Sequence, residues 1–177
     1  MSAENQESDS IAIEEVVLRA KEIMLRDGMH VPALIMDADP QIIVGEIKEL
    51  PDDHEDKLNL FRSLGLKLAK NGTIQSLRQV FMVSEAWYSK PHNESNENLR
   101  PSEDPNRIEV LIIAGIVVKE NKKSMKILEI LRDTDKKVVG LEAINELASK
   151  ENELAIETPL LDALVDGFHN AFRARYN

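Results

Sequence analysis

Four residues have types and spacing that point toward chemistry: Glu85, Trp87, Arg107 and Glu109. In "VFMVSEAWY" the alternation of a β-strand puts Phe81, Val83, Glu85 and Trp87 on one face, so a carboxylate and the only tryptophan continue an apolar row. Arg107 and Glu109 open the run "RIEVLIIAG", on the face shared by Leu111 and Ile113. If the two runs pair as antiparallel neighbours, the ends flanking the intervening loop meet, and the register decides whether the charges share a face. On a shared face the planar fork of Arg107 serves both carboxylates by charge-assisted hydrogen bonds, with the Trp87 ring stacked on the guanidinium or screening it. Two roles then compete. Arg107 binds an anionic group while one carboxylate acts as a base, or the charges form a cross-strand brace of ion pairs, each contributing about 0.2–1 kcal/mol. The brace is the default reading.

Between the runs lies "KPHNESNENLRPSEDPN", 17 residues that include His92. Unstructured connections longer than about 12–15 residues tend to be functional or disordered. The residues expected to contact a ligand or partner are therefore Glu85, Trp87, Arg107, Glu109 and His92, around this loop.

Other chemistry-bearing residues fall into simpler patterns. Asp37 and Asp39 resemble a D-x-D metal clamp, but "DADP" is also a turn in which Asp side chains hydrogen-bond the backbone, and we read it as that turn. The four histidines, His30, His54, His92 and His169, show no H-x-H or H-E-x-x-H pairing, so no metal site is expected. Ser84 lacks the G-x-S-x-G elbow of an exposed nucleophile. No G-x-G-x-x-G or P-loop occurs, which opposes a dinucleotide or nucleoside triphosphate site, and no cofactor is expected. Lys119, Lys122, Lys123 and Lys126 cluster at a predicted turn and read as solvated.

The elements that must position these residues follow from periodicity. Ile13, Val16, Val17, Ala20, Ile23 and Met24 recur at helical spacing, with Asp9 or Ser10 as N-cap and Asp27-Gly28 as the stop. Val31–Met36 and Gln41–Ile47 read as a hairpin. A second helix follows, with Asp52 or Asp53 as N-cap, Leu60, Phe61, Leu64 and Leu68 on one face, and Asn71-Gly72 as the stop. The runs "SLRQVFMVSEAWYS", "RIEVLIIAGIVV", "SMKILEILR" and "KVVGLEAI" predict an antiparallel meander. Residues 142–157 are ambiguous between helix and coil. Leu160, Leu161, Leu164, Val165, Phe168 and Phe172 then form the stripe of a final helix with Pro159 at its first position.

The expectation is an α+β fold: a two-layer domain with an antiparallel sheet of five to six strands and helices packed on it, spanning 10–177 after a disordered tail at 1–9, with a long polar loop at 89–106. The order of elements is similar to that of profilin-like domains such as roadblock, longin and PAS modules. "SEAWY" followed by "RPSEDPNRIEVLIIAG" resembles an uncharacterised prokaryotic family with an E-A-W strand end followed by P-x-x-D-P-x-R-x-E. That resemblance implies no activity.

Composition narrows the function. With 177 residues, 42% hydrophobic and 31% charged, the chain can bury a single core. A formal net charge of -10 opposes binding to polyphosphate, so nucleic acid is not an expected partner. The start "MSAENQESDS" lacks the regions of a signal peptide, no apolar run approaches the roughly 18 residues of a membrane span, and a cytoplasmic location is expected. Cysteine is absent, which excludes disulfides and thiol catalysis. The reading is a soluble, non-catalytic binding or assembly module with a protein partner or a second copy of itself. The alternative is a small-molecule-binding domain or enzyme with a Glu85/Arg107/Glu109 pocket for an anionic ligand.

Overall fold

A computed structural model describes residues 11–72, 74–89, 103–144 and 157–176. The tail at 1–9, the loop residues 90–102 with His92, and residues 145–156 of the ambiguous segment lie outside the described residues.

The elements run in chain order as α1 (Ile13–Asp27), β1 (Ala33–Asp39), β2 (Gln41–Glu46), α2 (His54–Lys70), β3 (Ser76–Tyr88), β4 (Ile108–Val117), β5 (Lys122–Arg132), β6 (Val138–Ala143) and α3 (Pro159–Tyr176). The strands form one open six-stranded sheet in the order β2-β1-β3-β4-β5-β6, every pair antiparallel. The α+β class and the sequence of helix, hairpin, helix, meander and C-terminal helix are those read from the periodicity.

The helices divide between the two faces of the sheet, so the molecule has three layers where the sequence reading counted two. Strand alternation explains the division. Phe81 and Val83 of β3, with Leu111 and Ile113 of β4 and Leu128 and Ile130 of β5, lie on one face and pack with Val16, Ala20 and Met24 of α1. Val80 and Met82 point the other way, into a cluster with Leu34, Phe61 of α2, and Leu161, Leu164 and Phe168 of α3. β3 and β4 are therefore apolar on both sides, which is why they read as nearly continuous hydrophobic runs. Removing the wholly buried Phe61 side chain from water contributes about 2–3 kcal/mol.

Local signals set the ends of the elements. Asp53 is the N-cap of α2, its carboxylate accepting from the backbone N–H groups of Glu55 at 2.8 Å and Asp56 at 3.1 Å. The helix closes with the Asn71 N–H donating to the carbonyls of Leu68 and Lys67. In contrast, α1 starts later than the acidic N-terminus suggests: its N-cap is Ala12, with no side-chain bond, rather than Asp9 or Ser10. The entry to α1 is held from the sheet instead, where the buried Gln79 amide accepts from the Ile11 N–H at 2.9 Å and donates to the Ile11 carbonyl at 3.2 Å. α1 ends at Gly28, whose φ of 75° is the left-handed conformation that glycine adopts without steric cost.

Against α2, α3 packs closer than side chains allow. A Cβ at Gly65 would stand 2.0 Å from the Leu164 carbonyl oxygen, and one at Gly167 would stand 2.1 Å from that of Arg62. The two helices meet backbone to backbone at reciprocal glycines. Lys123 of the basic cluster reaches α3 and pairs with Asp162 at 2.8 Å, so it is a strand residue with a partner rather than part of a solvated turn. No helix among the described residues is long and apolar enough to cross a membrane.

Candidate functional site

β3 and β4 pair so that Glu85 lies opposite Leu111, Trp87 opposite Glu109 and Tyr88 opposite Ile108. Directly opposed residues of an antiparallel pair share a face, so Glu85, Trp87 and Glu109 all lie on the α1 side. Arg107, two residues before Glu109, places its guanidinium 4.6 Å from the centre of the Trp87 ring. The four residues do gather at the loop end of the sheet, but the carboxylates do not converge on Arg107.

Each charge has a different partner. Glu85 accepts a hydrogen bond from the backbone N–H of His30 at 2.5 Å. Glu109 accepts from Nε of Arg132 at 2.5 Å, and Nη1 of Arg132 also donates to the carbonyls of Gly28 at 3.2 Å and Lys136 at 3.1 Å. Arg107 stacks on Trp87 and donates from Nη1 to the Asp104 carbonyl at 3.3 Å. The register explains this outcome. Glu85 and Glu109 are offset by one same-face step, about 7 Å along the strands, and the Arg107 guanidinium lies over the Trp87 ring. The bracing role read from the sequence applies to a segment the sequence did not indicate: Glu85 and Arg132 grip the turn from α1 into β1 at its His30 N–H and its Gly28 carbonyl.

Two contributors escaped the sequence reading. Arg132 ends β5, and antiparallel pairing brings that end beside the start of β4, so a topology-aware reading of "ILEILR" could have found it. Asp104 is 1% exposed, accepts from the Asn106 N–H at 2.8 Å and from the Ser89 hydroxyl, and gives its own carbonyl to the Arg107 N–H at 3.2 Å. It fastens the foot of the loop to the end of β3, and its signal was the Asp-Pro pair, whose Asx side chain caps a turn.

Several large apolar groups at this end of the sheet remain exposed. Trp87 is 43% exposed despite the stacked Arg107, and Met29 and Val31, drawn beside β3 by the His30–Glu85 bond, are 57% and 39% exposed.

At the opposite end of the sheet the "DADP" residues also depart from the turn reading. β1 extends through Asp39, and the buried Asp37 carboxylate accepts from Nε and Nη2 of Arg78 at 2.5–3.2 Å, with Asp39 3.6 Å from Nη1 of the same arginine. The hydrogen bond with Asp37 raises the Arg78 pKa above its usual value against the lowering effect of burial. These aspartates serve a side-chain cation across the sheet rather than turn backbone.

Residues 1–165 match the family model described as bacteriophage lambda protein ea47, and the chain belongs to that family. No curated protein and no solved structure matches the chain.

Proposed function

We propose that this member of the ea47 family is a soluble, cytoplasmic, non-catalytic module that binds a protein partner through the loop end of its sheet. The observation that carries the reading is Trp87, 43% exposed, with the Arg107 guanidinium 4.6 Å from its ring centre, and the exposed Met29 and Val31 on either side of His30, whose N–H bonds Glu85 two residues before Trp87. Tryptophan, arginine and methionine are the residue types enriched where proteins meet, and a few such anchors supply most of the binding energy. Stacking also lowers the entropic cost of binding, because both side chains are already held in one geometry.

The competing reading needs a carboxylate left free beside Arg107 to act as a base. Glu85 is engaged by the His30 N–H and Glu109 by Arg132, so the binding module is the reading better supported.

The test is affinity capture from the native host with wild-type chain and the Trp87→Ala variant, followed by titration of the captured protein. Truncating the half-exposed ring leaves the fold intact and weakens binding by about 2 kcal/mol, or roughly thirty-fold. Equal affinity for both forms would sink the assignment. A thermal-shift screen with small anionic molecules serves the other reading, which stabilisation abolished by Arg107→Ala would revive.

A further inference from the structure

We propose that the β2 edge of the sheet docks a second copy of this chain, the two β2 strands pairing antiparallel about a two-fold axis into one continuous sheet. Three features converge on this edge. Among the described residues β2 is the terminal strand of the sheet, with β1 as its one neighbouring strand. On the α1 face, Ile42 and Val44 lie outside the cluster under α1 and are 58% and 67% exposed. On the opposite face, a crevice of about 340 Å³ opens between β2 and α2, lined by Leu34, Met36, Ile43, Ile47, Leu64 and Leu68.

A second copy accounts for all three features. A single extended peptide would pair with the backbone edge but leave the crevice open beside it. Another copy of the chain brings its own β2 together with its own α2, extending the sheet and the helical layer at once. An antiparallel edge is self-complementary under a two-fold axis, and pairing of β2 with β2 closes at two copies, whereas β2 against the opposite edge β6 is head-to-tail and propagates.

Charge favours the same site. A net charge of -10 opposes the approach of two copies over the surface as a whole, but residues 41–45, "QIIVG", carry no charge. Lysine and proline, the usual guards of an exposed edge, are missing from within this strand. At the crevice rim Glu46 and Lys67 supply both signs, so a two-fold axis does not bring like charges alone together.

The inference is independent of the Trp87 surface and is tested by mass. Light scattering on the size-fractionated chain across a dilution series should give twice the 20.0 kDa of one chain. Val44→Lys should give the single-chain mass with unchanged far-UV circular dichroism, while Val139→Lys on the β6 edge and Trp87→Ala keep the doubled mass. The absence of native cysteine allows a second readout. A two-fold axis perpendicular to the sheet sets one residue of β2 opposite its own counterpart, within disulfide reach, so one of five single-cysteine variants at positions 41–45 should oxidise to a covalent dimer and Val139→Cys should not. A wild-type chain that is monomeric at every concentration, or a folded Val44→Lys variant that remains dimeric, overturns the proposal. Should Val44→Lys fail to fold, the cysteine series decides, and no cross-link at any of the five positions overturns it equally.

Discussion

Asp37 is 3% exposed, and its carboxylate is held by two nitrogens of Arg78. Taking a carboxylate out of water is costly, and the guanidinium offsets that cost only while it is present. Arg78→Ala should therefore destabilise the fold by about 3 kcal/mol, the lower end of the range for breaking a buried pair, because the arginine itself is partly solvated. Denaturant unfolding checks this, and a loss below about 1 kcal/mol would mean that water replaces the arginine. The same logic separates the loop-end charges. Glu85 and Arg132 hold a turn, Glu109 orients Arg132, and Arg107 lies over the exposed Trp87 ring. Strand alternation made the gathering of Glu85, Trp87, Arg107 and Glu109 legible in the sequence. Their individual partners were not, because a hydrogen bond is decided over a few ångströms and the register offset of about 7 Å exceeds that range.

The elements were the most legible level, since each carries a local signal. Asp53 with acids in the first turn predicts the start of α2, and Pro159 the start of α3. The start of α1 was misplaced because its restraint is tertiary, the Gln79 amide on the Ile11 backbone from a residue 68 positions away. The crossing of α2 and α3 was likewise invisible: nothing local marks Gly65 and Gly167, yet each admits the backbone of the other helix. Gly65→Ala must push the Leu164 carbonyl oxygen away by more than 1 Å, and overpacking of this kind costs about 3 kcal/mol. Gly140→Ala meets only the Leu131 side chain at 3.6 Å and should change stability by less than about 1 kcal/mol. Thermal melts of the two variants compare them directly, and similar melting temperatures would show that the helices can slide apart cheaply.

For the molecule as a whole, the sheet separates two apolar clusters, one under α1 and one under α2 and α3. Ile113 belongs to the first and Ile74 to the second, both nearly inaccessible. Ile113→Val and Ile74→Val should each cost about 0.5–1.5 kcal/mol, and the double variant should show their sum within about 0.5 kcal/mol, as expected for sites without shared partners. A larger coupling energy in urea titrations would mean that the sheet transmits packing strain between its faces. By itself the sequence determined the α+β class, the order of elements and the central strands, because periodicity of apolar residues is a local property that burial enforces wherever the chain folds. Only the tertiary structure decided which face each helix covers, that Arg132 rather than Arg107 meets Glu109, and that β2 is the terminal strand among the described residues. Those outcomes depend on strand order and register, which are set by contacts between residues far apart in the chain.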